Sequence, residues 1–350
     1  MSAPRLRTVT SRYATLKVAV VGDFCLDRYL EIDPRKKETS LETGLAVHNV
    51  TRVRSQPGGA GTILNNLVAL GVGAIWPIGF CGEDGEGWEL QRALKALAGV
   101  SLKYFFPTNE RRTFTYTKPL IISKGKAPRE LNRLDSKNWS PTPKAVSERI
   151  AASVRSLAGK VDAIIVLDQT DVPQTGVATT SVLKAIGALA KRKPKLVIIA
   201  DSRQGLRNFP PVAFKLNAKE LAAHIGNKRS LTFAQIKSVA AKLAKKQSRP
   251  IFVTLAERGI VGATPSGAVE HIAALPIHGE IDIVGAGDAV TANLAAALAA
   301  GATIPEALAL ANAAASVVIH KLGTTGTASI KEIAKTLTQG RKGAKAQRIT

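Results

Sequence analysis

The residues best arranged to do chemistry in this chain are Gly285, Ala286, Gly287 and Asp288, which follow the short run Ile281-Asp282-Ile283-Val284 and open a long alanine-rich stretch. Two residues without a Cβ let the backbone turn tightly. The N–H groups of Ala286, Gly287 and Asp288 can then converge at a helix start, where the helix dipole favours negative charge. Such a turn suits a phosphoryl group in transfer: the N–H cluster forms an anion hole, and Asp288 accepts the proton of an attacking hydroxyl. The same residues also fit a plainer role, with Asp288 only capping the helix that continues through Thr291-Ala292-Asn293-Leu294.

Composition sets the frame for this chemistry. With 350 residues, 45% hydrophobic and 21% charged, the chain reads as one large α/β domain. No apolar run approaches the ~20 residues that cross a bilayer, and Val18 to Val21 is too short for a signal-peptide core, so a membrane partner is not expected. Cys25 and Cys81 are the only cysteines, which suits a reducing, cytoplasmic setting. The histidines at 48, 224, 271, 278 and 320 lack metal-ligand spacing. Lys and Arg number 49 against 26 Asp and Glu, a net charge of +23. Much of the excess lies at the ends, and residues 1–16 and 339–350 read as solvated basic tails around a domain at 17–338. Tails of this kind make nucleic acid a secondary partner, and a nucleic-acid-associated, non-catalytic protein the alternative function.

The elements that must position the site alternate in the order of a doubly wound, mostly parallel sheet with helices on both faces. Lys17 to Val21, Ile75 to Phe80, Ala163 to Leu167, Leu196 to Ala200 and Ile251 to Leu255 are apolar runs of buried parallel strands. Helical patterns occupy Ala60 to Leu70, Trp88 to Leu97, Thr179 to Lys191 and Phe233 to Lys245. Two regions, about 28–56 and 105–135, lack helical period and are richer in Thr, Arg and aromatic residues. They are expected to form a small β lid, with Thr113-Phe114-Thr115-Tyr116-Thr117 as a strand.

No P-loop, protein-kinase loop or G-x-G-x-x-G fingerprint is present. Instead, several motifs occur in the order of one family. They are Val20-Val21-Gly22-Asp23 with Asp27-Arg28-Tyr29, Pro57-Gly58-Gly59-Ala60-Gly61, Gly82-Glu83-Asp84-Gly85-Glu86-Gly87 and Lys215-Leu216-Asn217-Ala218-Lys219-Glu220. Val253 to Gly259, Gly285 to Asp288, Ala311-Asn312-Ala313 and Leu322-Gly323-Thr324 complete the set. Together they resemble the ribokinase-like sugar kinases of the PfkB family, from about Lys17 to Ile333. The resemblance implies an ATP-dependent sugar kinase with Asp288 as base and the 285–288 backbone as anion hole. It places the sugar at Asp23, Asp27, Gly58, Gly59 and Thr62. Asn217, Glu220, Thr254, Ala256, Gly259, Asn312 and Gly323 fall on the nucleotide side, with Glu220 holding Mg2+ indirectly, and a monovalent cation such as K+ is a further cofactor of that pattern. It also implies a homodimer joined through the lids.

Read on their own, Asp23 fits a turn residue, Gly58 and Gly59 an ordinary loop, and Asn217 with Glu220 a capping box. Thr62 stands where the family usually has Asn, and Ala256 where it has Gly. Within the family the chain resembles the kinase half of the bacterial bifunctional heptose enzymes, through Asp27-Arg28-Tyr29, Ser40-Leu41-Glu42, Arg133-Leu134-Asp135 and Lys321 to Thr324. That likeness implies a phosphorylated sugar such as D-glycero-D-manno-heptose 7-phosphate. Arg28, Arg35, Lys36, Arg111, Arg112 and Arg129 are then candidate phosphate partners, though each also fits a solvated surface charge. Only residues 340–350 follow the last helical pattern, so adenylylation is not expected.

Overall fold

Strands and helices alternate along the chain as the apolar runs require. The computed structural model describes residues 1–323 and 325–346. Its strands are β1 (Lys17–Gly22), β2 (Phe24–Thr39), β3 (Ala46–Gly59), β4 (Ala74–Gly82), β5 (Phe105–Thr108), β6 (Thr115–Ile121) and β7 (Arg129–Glu130). There follow β8 (Leu134–Ser136), β9 (Ala163–Asp168), β10 (Val197–Ser202), β11 (Ala213–Asn217), β12 (Ile251–Thr254), β13 (Ile260–Ala263) and β14 (Val269–Ile272). The helices are α1 (Ala3–Thr10), α2 (Ala60–Ala69), α3 (Gly85–Lys95), α4 (Lys144–Ser156), α5 (Thr180–Arg192), α6 (Ala218–His224), α7 (Phe233–Gln247), α8 (Ala286–Ala299), α9 (Ile304–Ile319) and α10 (Ile330–Ala346).

Nine strands make the main sheet in the order β14-β13-β12-β11-β10-β9-β1-β4-β5. From β12 to β5 neighbours run parallel, and β13 and β14 add an antiparallel edge. Alternate residues of β1 face opposite layers. Val18 and Val20 pack into the core formed with α2, α8 and α9, whereas Ala19 and Val21 pack into the core formed with α4, α5 and α7. A parallel strand covered on both faces carries no polar alternation, which is why these strands read as continuous apolar runs.

A second sheet in the order β3-β2-β6-β7, with β8 also paired to β6, forms the lid. Its second segment is shorter than expected. Phe105–Thr108 pairs in parallel with β4 at the edge of the main sheet, and lid pairing begins at Thr115. The aromatic residues that suggested a lid there instead serve the core: Phe105 packs edge-to-face on Phe24 at 5.3 Å between ring centroids.

The N-terminal segment is not a solvated arm. Val9, Tyr13 and Leu16 are buried in the core. Arg5 pairs with Glu306 at 2.8 Å, and Arg12 donates to the carbonyl of Ala300 at 3.2 Å. Two of the arginines that suggested a nucleic-acid arm are therefore tied to the fold. At the other end α10 runs to Ala346, so the expected tail from 339 begins as helix, and residues 347–350 lie outside the described residues. Among the described residues no helix is long and apolar enough to cross a membrane.

Candidate active site

The site lies where the carboxyl ends of the parallel strands meet the start of α8, the usual position for ligands in an open α/β sheet. Gly285 caps α8 with φ of 82°, a left-handed conformation that glycine adopts without strain. A Cβ there would also meet Cγ2 of Thr325 at 2.7 Å and Cγ2 of Thr62 at 3.6 Å. Thr62, buried on α2, thus packs beside the turn. The anion hole is narrower than expected, because the Ala286 N–H donates to the carbonyl of Ile283 at 3.2 Å. That leaves the N–H groups of Gly287 and Asp288, which have no acceptor one turn earlier, to face an anion.

Asp288 is partly buried in the first turn of α8. Its carboxyl is pushed up to about 7, first by loss of water and then by the Asp201 carboxylate, while Lys215 pulls the other way. A carboxylate that takes up protons near neutrality is suited to general-base work. Asp27 and Arg203 also bear on its charge, so lid and sheet contribute to one crevice.

On the lid side, Asp27 and Gly58 are paired by the β2–β3 register, and Lys118 Nζ lies 3.8 Å from Asp27 Oδ1. Burial raises the Asp27 carboxyl, and Lys118 opposes that rise. Gly59 turns into α2 with φ of 56°, where a Cβ would lie 2.5 Å from the carbonyl oxygen of Asp23. Asp23 is placed differently from the expectation of a sugar-binding acid. It is 1% exposed and accepts the N–H groups of Gln169 at 2.8 Å and Val177 at 2.7 Å. Asp23 therefore ties the end of β1 to the loop after β9, leaving Asp27 as the acid of that motif that faces the lid residue Lys118.

A cavity of about 600 Å3 adjoins Ala286 and Gly287. Asn217, Thr254, Ala256, Gly259 and Asn312 line it, with an apolar wall that includes Ile260, Leu275 and Ile319. Asn312 fixes its rim by donating to the carbonyl of Ala273 at 2.8 Å. Glu220 closes a capping box with Asn217 and lines the adjoining cavity with Asp168 and Arg203. Gly323 lines neither of these cavities, and Thr324 of the same motif lies outside the described residues. No cluster of three or more metal-binding side chains occurs among the described residues.

Several charged residues of the crevice had no role assigned from the sequence. Lys215 is buried with Nζ 2.8 Å from Asp201 Oδ2, and Thr291 Oγ1 lies 3.2 Å from the same oxygen. Arg133 and Lys137 stand over the Tyr116 ring, at 4.9 and 5.8 Å from its centroid. Lys137 and Arg203 both pair with Asp171, at 2.7 and 3.5 Å. The available signal was position: Asp201 and Arg203 sit at or just beyond the carboxyl end of β10, and Lys215 lies two residues before that of β11, where ligands gather. The expected lid cations are mostly committed elsewhere. Arg28 pairs with Glu86 and Glu89, Arg35 with Asp33, and Arg112 with Asp84 and Glu86, while Arg111 donates to Ser140.

The model of the pfkB family carbohydrate kinases matches residues 15–331. Proteins named Bifunctional protein HldE are similar over most of the chain: that of Hyphomonas neptunium is 32% identical over 94% of this chain, and that of Pelobacter propionicus 28% over 94%. The chain spans 65% and 64% of those two relatives. Among solved structures, Arabidopsis thaliana ribokinase complexed with ribose and ATP superposes with a TM-score of 0.66 at 21% identity, covering 92% of this chain and 98% of that one. Escherichia coli phosphofructokinase-2 in complex with potassium gives 0.69 at 16% identity, covering 93% and 99%. The chain therefore belongs to the pfkB family of carbohydrate kinases, phosphotransferases with an alcohol group as acceptor.

Proposed function

We propose that the protein transfers the γ-phosphoryl group of Mg-ATP to a hydroxyl of a phosphorylated sugar, with heptose 7-phosphate the first candidate. The observation that carries this reading is the position of Asp288, between the apolar cavity beside Gly287 and the Asp27–Gly58 corner of the lid. The nucleotide base occupies the cavity, and its phosphates reach the start of α8. Asp288 takes the proton from the acceptor hydroxyl as the oxygen attacks the γ-phosphorus, and ADP departs. The N–H groups of Gly287 and Asp288 meet the charge on the phosphoryl oxygens. Asp27 accepts a hydrogen bond from a second sugar hydroxyl and fixes the acceptor in line.

Mg2+ fits a site shared with the nucleotide rather than a protein cage. Glu220 commits Oε2 to the N–H of Asn217 at 2.7 Å, leaving Oε1 without a protein partner among the described residues. Held there, the ion would neutralise charge on the nucleotide phosphates. A substrate phosphate is supported by Lys118, Arg133 and Lys137 on the lid side and Arg203 after β10, which are paired with Asp27, Asp135 and Asp171 and would exchange those partners for the phosphate. Likeness to the heptose kinases favours the heptose. Pairing of two copies through the lid is supported by exposed Leu41, Leu45, Val50 and Leu134, and sedimentation of Val50→Lys against the parent checks it.

A coupled ADP-release assay tests the substrate. The specificity constant for heptose 7-phosphate should exceed those for ribose, fructose and adenosine. A highest value for a free sugar or nucleoside overturns the assignment.

A further inference from the structure

Lys215 lies beneath the 285–288 turn, in the middle of β11. It is 7% exposed, and its ammonium has three N–H donors but a single acceptor among the described residues, Oδ2 of Asp201 at 2.8 Å. A lysine this deep is costly to bury unless its charge is used or compensated. The pair is locked to α8. The Thr291 hydroxyl, one turn beyond Gly287, lies within hydrogen-bonding distance of both Asp201 Oδ2, at 3.2 Å, and the carbonyl of Gly287, at 3.0 Å, and shares its one proton between them. The ammonium reaches the turn itself: a Cβ built on Gly287 would lie 3.1 Å from Lys215 Nζ, tighter than an ordinary van der Waals contact. Gly287 thus has a second reason to be glycine, since a side chain would press on the buried cation.

We infer that Lys215, held by Asp201 and Thr291, is a positioning residue that keeps the Asp288 carboxylate ionised and ready to accept a proton. This rests on reading Asp288 as the base. The charged groups that face Asp288 are Asp201 from β10, Lys215 from β11, Asp27 from β2 and Arg203 from the loop after β10. Glu220, at the start of α6, bears on Lys215. Lys215 and Asp201 act on Asp288 with opposite sign, so removing either charge unbalances the pair in a known direction. Without the ammonium, Asp288 is left beside the bare Asp201 carboxylate and holds its proton to higher pH. Without the Asp201 charge, the ammonium acts alone and Asp288 loses its proton at lower pH.

The test is a titration of Asp288 by 13C-carboxyl NMR in protein with labelled aspartate, the signal assigned by its loss in Asp288→Asn, together with the pH dependence of kcat. Lys215→Met should raise the Asp288 midpoint by about one pH unit or more, and Asp201→Asn should lower it. The acid limb of kcat should follow in each case, with KM for the nucleotide within about twofold of the parent. A merely structural pair has no means of moving the midpoint in opposite directions. Midpoints unchanged in both variants overturn the inference, and if Lys215→Met does not fold, an unchanged midpoint in Asp201→Asn does so alone. Midpoints that move as stated in a parent protein without phosphotransfer uphold the inference and remove the kinase reading instead.

Discussion

A Cβ placed on Gly58 would lie 2.7 Å from Oδ2 of Asp27 and 2.8 Å from its Cγ. The glycine therefore holds room for the carboxylate as well as for a ligand, and the side chain of Asp27 rests directly on the β3 backbone. Gly58→Ala should displace the carboxylate and lower kcat/KM for the sugar by about 100-fold, the scale of an ångström-sized misplacement. Calorimetry of nucleotide binding should give the parent Kd, because the nucleotide cavity is lined by other residues. An unchanged kcat/KM removes Asp27 from substrate positioning.

Among the described residues Ala256 is one of three non-glycine residues with positive φ, at 51°. An L-residue with a Cβ is disfavoured there by about 1–2 kcal/mol. Ala256→Gly should raise unfolding free energy by about 1 kcal/mol in denaturant titrations, part of the relief being offset by glycine's freedom in the unfolded chain. Equal or lower stability shows that the loop around Ala256 carries no strain.

Tyr13 is 1% exposed, and its hydroxyl has no hydrogen-bond partner among the described residues. A buried hydroxyl left unpaired costs about 1–3 kcal/mol. Tyr13→Phe should therefore stabilise the protein by about 1 kcal/mol, whereas Tyr13→Ala should destabilise it by about 3–5 kcal/mol through the cavity it leaves. Chemical denaturation of both variants checks this, and no loss in Tyr13→Ala restores the picture of a solvated arm.

Asp288 also links stability to pH. Its folded carboxyl is raised to about 7 from an ordinary 3.8. At a pH below the ordinary value both states are protonated and nothing is lost. As pH rises toward 7 the unfolded chain ionises freely while the fold resists, so stability falls across that window and levels off above it. Asp288→Asn carries no such cost. The melting temperature of the variant minus that of the parent should be near zero at pH 4 and grow to roughly 2–4 °C by pH 8. A difference independent of pH contradicts the raised carboxyl.

Much of this architecture was legible because parallel strands buried on both faces leave continuous apolar runs, as at Ala163 to Leu167 and Ile251 to Val253. The 285–288 turn was legible because its chemistry is local: two glycines and an acid at a helix start. Asp23 and Asp27 were not separable, since both follow β1, and only the N–H groups of Gln169 and Val177 distinguish the buried acid from the one beside the lid. Lys118, Arg203 and Lys215 lay hidden for a related reason. Their partners Asp27, Asp171 and Asp201 are brought to them by sheet pairing and loop packing, which no spacing along the chain encodes. Phe105–Thr108 misled because an aromatic-rich edge strand and an aromatic-rich lid have the same composition.

The role of Asp288 as the base is tested most directly by kcat of Asp288→Asn measured beside its melting temperature and nucleotide affinity. Asn keeps the size and the capping ability of Asp but cannot take the proton. The variant should fold, bind Mg-ATP as the parent does, and lose kcat by about two to four orders of magnitude. A stable Asp288→Asn protein with the parent's kcat would show that Asp288 only caps α8 and is not the base.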